Sequence, residues 1–125
     1  MTEIAVLAVN ETVRIDTRRL EQIVHELGET TAEQVIGAAL EQLALALRRT
    51  LAAAVRDDPG AIAANADQLS RLAWQVGLVS LAGVAIDVGA CAERRDLPAL
   101  AATTRRLERI ANRSLTELWD PPETA

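Results

Sequence analysis

Apolar residues recur along this chain at helical spacing, in stripes separated by short breaks. The first stripe follows Asp16, a good N-cap, runs to Gly28 and predicts a short helix. The second follows a cap at Thr30 and Thr31 and predicts a helix of about 25 residues. The stripe residues of these two helices are Leu20, Ile23, Val24 and Leu27, then Val35, Ile36, Ala39, Leu40, Leu43, Leu47, Leu51 and Val55.

Two breaks that contain proline divide the rest of the chain into three further helices. Residues 57–59 start a third helix, with proline at its first position, and it is predicted to run to Gly77. The fourth is predicted to end near Arg95, and residues 96–98 precede the last. The stripes are Ile62, Ala66, Leu69, Ala73 and Val76; Leu81, Val84, Val88 and Cys91; and Leu100, Thr104, Leu107, Ala111, Leu115 and Leu118.

Short connections between long amphipathic helices make consecutive helices antiparallel neighbours. The pattern therefore predicts an all-α, up-and-down four-helix bundle with an additional short N-terminal helix or arm. We expect an N-terminal arm or short helix over residues 1–14, the bundle over 15–119 and a frayed tail over 120–125. Residues 4–9 are apolar throughout and fit either a strand-like arm or a helical turn.

The amino-acid composition excludes several kinds of binding site and partner. The chain has one histidine, His25, and one cysteine, Cys91, which excludes a multi-histidine metal site and a disulfide framework. The net charge of −5 argues against binding of duplex nucleic acid. No apolar stretch is long enough for a membrane span and the first residues lack the basic start of a signal peptide, so we expect a cytoplasmic protein without a metal or cofactor.

The third helix carries an unusual polar stripe. Asp67, Arg71, Trp74 and Leu78 follow one another at steps of four, three and four, so they are expected to share one face. Asp67 and Arg71 can form an ion pair across one helical turn. The simplest interpretation is a solvated face with Trp74 at its rim; the alternative is a surface that binds a partner, because tryptophan is frequent at interaction hot spots.

The register from Ile15 to Leu118 resembles the histidine phosphotransfer (HPt) domain, a four-helix carrier of bacterial phosphorelays. In the third helix that family has the pattern Ala-His-x-Leu-Lys-Gly-Ser-x-x-x-hydrophobic-Gly. This chain matches it at Ala66, Leu69, Val76 and Gly77. Further matches with the family are Ile15-Asp16, Leu20-Glu21-Gln22 and Glu26-Leu27-Gly28-Glu29 before this helix, and Leu81-Ala82, Val88 and Asp96-Leu97 after it.

The departures from the family pattern fall on the phosphotransfer chemistry. Asp67 occupies the position of the phosphoaccepting histidine, Ser70 that of the lysine, Arg71 that of the glycine and Leu72 that of the small hydroxyl residue. A neutral imidazole is a ready nucleophile near neutral pH, whereas a carboxylate normally needs a divalent cation held by neighbouring carboxylates to accept phosphate. No such cluster is evident beside Asp67, so phosphotransfer at this position is not expected.

The resemblance and the departures together predict a non-phosphorylatable HPt-like module of two-component signalling, rather than an enzyme. Its partner would be a response-regulator receiver domain or a sensor histidine kinase. Asp67 would be a fixed negative charge, Arg71 its charge partner and Trp74 the apolar anchor. The predicted docking residues are Asp67, Ser70, Arg71, Trp74 and Gln75.

Two alternatives remain open from the sequence. The chain could be a phosphocarrier with an unusual acceptor, either His25 or Asp67. It could also be a helical homodimer, because small residues on the fourth helix would allow another helix to approach closely: Ala82, Gly83, Ala85, Gly89 and Ala92. Cys91 is expected in the core, and the basic flank of the last helix, Arg105, Arg106, Arg109 and Arg113, is expected to be solvated.

Overall fold

A computed structural model describes residues 12–119, and these residues are predominantly helical. The five described helices are α1 (Thr17–Leu27), α2 (Glu29–Val55), α3 (Pro59–Gln75), α4 (Val79–Arg94) and α5 (Leu97–Trp119). Each helix packs against the next one along the chain, and the contact between α3 and α4 is the most extensive. The all-α prediction is confirmed. Of the predicted N-terminal arm or short helix over residues 1–14, residues 1–11 lie outside the described residues, as does the predicted tail over residues 120–125.

Local capping interactions set most helix boundaries where the sequence predicts them. The Asp16 carboxylate accepts a hydrogen bond from the Arg18 amide at the start of α1. Asp58 caps α3 through the Ala61 amide, with Pro59 in the first turn, and Asp96 caps α5 through the Ala99 amide. These carboxylates satisfy backbone donors that have no partner within the helix.

The start of α2 differs from the prediction. This helix begins at Glu29 directly after Gly28, and no side-chain cap is formed there, so the predicted cap at Thr30 and Thr31 is wrong. Helix α1 is thus joined to α2 through one residue. The far end of the α2 stripe also differs, because Val55 is 85% exposed while Thr50 and Ala53 are buried. The buried stripe instead contains Ala32, Leu40, Leu43, Ala46, Thr50 and Ala53.

The core faces of α3 and α4 match the predicted stripes. Ala66, Leu69, Ala73 and Val76 of α3 are buried, as are Leu81, Val84, Val88 and Cys91 of α4. On α5 the predicted Leu107 and Ala111 are buried together with Ile110 and Ser114, while the outer stripe positions are only partly buried. Together with α2, these faces form one continuous apolar core.

Small residues line the contact between α3 and α4. Ala66 and Ala73 of α3 and Ala82 and Ala85 of α4 are completely buried. A Cβ atom at Gly89 would lie 3.7 Å from the Cβ of Ala66, so the two helices approach closely at that point. Three of the small residues that could have formed a contact between two copies, Ala82, Ala85 and Ala92, are therefore buried within the chain. Gly83 is exposed. The burial of these three alanines does not test the homodimer alternative, which stays a prediction.

An extended segment before α1 fastens onto the connection between α3 and α4. The Asp16 amide donates to the Gly77 carbonyl at 2.7 Å, and Ile15 forms an isolated antiparallel bridge with Leu78. The Arg14 amide donates to Ser80 Oγ at 2.7 Å, while the Ser80 amide donates to the Arg14 carbonyl. This strap, residues 13–16, thereby satisfies a backbone donor in the first turn of α4, which has no side-chain cap.

Gly77 makes both the end of α3 and the strap possible. Its φ is +78°, and the amides of Gly77 and Leu78 donate to the carbonyls of Trp74 and Ala73, which is the Schellman arrangement. A Cβ atom at this position would lie 2.6 Å from the Asp16 carbonyl oxygen. Leu78 follows the helix and is completely buried. The expectation that Leu78 shares an exposed face with Asp67 is therefore wrong.

The geometry at Gly77 predicts that adding a single methyl group there strongly lowers the stability of the fold. We expect Gly77→Ala to lower the free energy of unfolding by about 2 kcal/mol, because it combines a left-handed φ with a clash against the strap. Gly83→Ala is the matched control, since nothing lies within 4 Å of its added Cβ. It should raise stability by up to about 1 kcal/mol through helix propensity. Urea denaturation followed by circular dichroism measures both; equal stabilities of the two variants would contradict this account.

Candidate docking surface

The polar stripe of α3 contains the predicted ion pair. Arg71 Nη2 lies 2.7 Å from Asp67 Oδ2, and the two side chains are 68% and 65% exposed. An exposed pair one helical turn apart contributes about 0.3–0.5 kcal/mol to stability. Its main effect is to hold two opposite charges at defined places on the outer face of the helix.

Trp74 lies one turn further along the same stripe and is 53% exposed. It forms part of the wall of an open cleft with the strap, the start of α1 and the start of α4. The residues that line this cleft are Arg14, Ile15, Asp16, Thr17, Arg18, Trp74 and Val79. A half-exposed indole beside an open cleft can bury additional apolar area against a partner.

A second groove borders Asp67 on the side of α4. It is lined by Ala63 and Asp67 of α3 and by Ala85, Ile86, Gly89, Ala90 and Glu93 of α4. Ile86 is 54% exposed, which is unusual for an isoleucine in the middle of a helix. The pairs Asp67 and Trp74, and Val79 and Ile86, are each separated by two helical turns. Each pair therefore shares one face of its helix. Because Asp67 and Ile86 line one groove and Trp74 and Val79 line the other, all four lie on one side of the helix pair.

We call this surface the α3–α4 face and define it by Asp67, Arg71, Trp74, Val79 and Ile86. It combines an exposed aromatic group, an exposed aliphatic group and one ion pair. Such a surface is suited to contact with another protein, because partly exposed apolar side chains surrounded by charges are typical of interfaces.

Ser70 does not belong to this face. Its side chain is 5% exposed, and Ser70 Oγ donates to the Ala82 carbonyl oxygen of α4 at 3.2 Å. The expectation that it lies with the exposed docking residues is wrong, because α4 covers this side of α3. Leu72, which occupies the hydroxyl position of the family pattern, is also buried. Gln75 is exposed, and its backbone carbonyl accepts a hydrogen bond from Arg19 Nε at 3.1 Å.

The remaining predicted residues are not among the five that define the α3–α4 face. His25 is exposed in the last turn of α1 and lines neither of the two grooves described above. Cys91 is buried as predicted. Arg106 of the basic flank forms an ion pair of 3.8 Å with Asp87, so this arginine links α5 to α4 rather than being only solvated. Within residues 12–119, no group of three or more His, Cys, Asp or Glu side chains is placed to hold a metal ion.

Sequence reasoning did not identify Arg14, Arg18 and Ile86 as parts of this region. The spacing of Ile86 from Val79 was an available signal, because both fall off the buried stripe of α4. No local signal was available for the two arginines. Arg14 reaches the region through hydrogen bonds to a residue 66 positions further along the chain.

The chain was compared with protein-family models, with characterised proteins and with solved structures, and no match was found. None of the helices described over residues 12–119 has the length and apolarity needed to cross a membrane.

The different surroundings of Ser70 and Asp67 predict different mutational effects. Ser70→Ala removes a buried hydrogen bond between helices and should lower the free energy of unfolding by about 1 kcal/mol. Asp67→Asn, the matched exposed change on the same helix, should cost no more than about 0.5 kcal/mol. Chemical denaturation of both variants provides the measurement. A larger loss for Asp67→Asn would show that the ion pair is structural and that the surface assignment is wrong.

Proposed function

We propose that this protein is an HPt-like module of two-component signalling that docks a partner without accepting phosphate. The partner is a response-regulator receiver domain or a sensor histidine kinase, and the protein acts as an adaptor or competitor in the cytoplasm. The proposal includes an HPt-like arrangement of the helices over residues 15–119, with an additional arm or short helix over residues 1–14. The register of α3 and α4 against the family pattern is its starting point.

The exposed ion pair of Asp67 at the acceptor position is the observation that carries the proposal. The family pattern requires an accessible nucleophile there, and this chain has an accessible carboxylate whose charge is paired with Arg71 at 2.7 Å. Position 67 is thus exposed, as the family pattern requires, but it carries a paired carboxylate instead of an imidazole. Exposed Trp74 and Ile86 on the same side supply the apolar contacts that partner binding needs.

The surroundings of Asp67 favour docking over phosphate transfer. Acyl phosphate formation on a carboxylate generally uses a divalent cation, whereas the Asp67 carboxylate is paired with the guanidinium of Arg71. The long side chain of Arg71 also occupies the position at which the family pattern has glycine. Both features are compatible with a charged contact to a partner.

Binding to purified receiver domains and kinase dimerisation domains from the same genome tests the docking proposal. We expect at least one partner to bind, and Trp74→Ala and Ile86→Ala each to weaken the affinity by about tenfold, because both remove apolar area from the interface. Val55→Ala is the matched control, since Val55 is an exposed aliphatic residue on α2. Calorimetric titration measures the dissociation constants; equal losses in all three variants would contradict the face assignment.

Intact-mass measurement after incubation with phosphorylated receivers tests the absence of phosphate transfer. We expect no gain of a phosphoryl group in the natural chain. We expect a gain in the double variant Asp67→His/Arg71→Gly, because it restores an exposed imidazole and frees the space beside it. Phosphorylation of the natural chain that is lost in His25→Gln would instead support the carrier alternative at His25.

A further inference from the structure

We propose that the cleft between the strap and Trp74 binds a loop of the partner protein that carries Asp or Glu side chains around an apolar residue. The cleft is formed by Arg14, Asp16 and Arg18 together with Ile15, Trp74 and Val79. The inference rests on the proposed docking at the α3–α4 face. It specifies which residue types the partner presents to the end of the face that contains Trp74.

Among residues 12–119, no side chain neutralises the two arginines of the cleft. Neither guanidinium of Arg14 or Arg18 has an ion-pair or side-chain hydrogen-bond partner among residues 12–119. By contrast, Arg19 is engaged with the Gln75 carbonyl and the Gln22 side chain, and Arg71 is engaged with Asp67. Asp16 is the acidic residue of the cleft, and its carboxylate caps α1 through the Arg18 amide.

The backbone holds one of these arginines firmly at the rim. Both the amide and the carbonyl of Arg14 are bonded to Ser80, and the Asp16 amide is bonded to the Gly77 carbonyl. The strap thus places Arg14 beside the start of α4, although the two segments are far apart in the sequence. A charge on an ordered backbone loses less conformational freedom when it binds than one on a free terminus.

The apolar side of the cleft, formed by Ile15, Trp74 and Val79, favours a polypeptide over a simple anion as the ligand. The indole of Trp74 is 53% exposed, and Ile15 and Val79 beside it are partly exposed. An anion would use the arginines alone, whereas a loop with an apolar residue between carboxylates uses both halves of the cleft. The cleft is also open to solvent, which allows a loop to enter. Charge complementarity therefore favours an acidic loop over a basic or neutral one.

The fluorescence of Trp74 provides a direct test in the full chain. In a Trp119→Phe background, the protein is titrated with a synthetic peptide of Asp and Glu residues around one Leu. The comparison peptides replace the acidic residues by Asn and Gln, or the Leu by Asp. We expect saturable binding of the first peptide, and binding weaker by about tenfold for each comparison peptide. Binding should also weaken as the salt concentration rises.

Charge reversal locates the binding to the cleft. Arg14→Glu/Arg18→Glu should raise the dissociation constant of the acidic peptide by at least about tenfold. The control, Arg48→Glu/Arg49→Glu, changes the net charge equally on exposed positions of α2 and should shift it by less than about twofold. Circular dichroism confirms that both variants are folded. Equal effects of the two double variants, or equally tight binding of a single-stranded oligonucleotide, would overturn the proposal.

The same variants separate this inference from the proposed function. If receiver domains bind the natural chain and Arg14→Glu/Arg18→Glu leaves that affinity unchanged, the cleft assignment is wrong while the docking function stands. If the acidic peptide binds in the cleft and no receiver or kinase domain binds, the cleft assignment stands and the HPt-like function is wrong.

Discussion

The close packing of α3 against α4 is the constraint on which the described structure depends. Their buried faces include several residues with no side chain larger than a methyl group, among them Ala66, Ala73, Ala82, Ala85 and Gly89. Because dispersion contacts fall off steeply with separation, the close approach at Gly89 and Ala66 stabilises the helix pair there. Asp67 of α3 and Ile86 of α4 line one groove between the two helices, so exposed residues of both helices belong to one continuous surface.

The turn at Gly77 connects this packing to the rest of the molecule. Its left-handed φ ends α3 and exposes a carbonyl to the Asp16 amide, so the strap is bonded to the same turn that aligns the two helices. The strap also brings Arg14 beside Trp74, which gives one end of the α3–α4 face a basic character in a protein of net charge −5. The turn at Gly77 thus both ends α3 and holds the strap that places Arg14 beside Trp74.

The site shows why some residues could be predicted and others could not. The ion pair of Asp67 and Arg71 follows from a spacing of four residues, which fixes their proximity in any helix. Ser70 lies one position before Arg71, a rotation of about 100° around the helix, and whether it is exposed depends on where α4 packs. A single helical stripe cannot supply that information, and so Ser70 was placed wrongly on the exposed face.

The sequence by itself determined the helical class, most helix boundaries and the buried faces of α3 and α4. These features depend on capping residues and apolar periodicity, which act within a few residues of one another. The tertiary structure alone decided that Trp74 is exposed, that Ala82, Ala85 and Ala92 of α4 are buried, and that Arg14 lies beside the α3–α4 face. Each of these depends on contacts between segments distant along the chain, which no local pattern encodes.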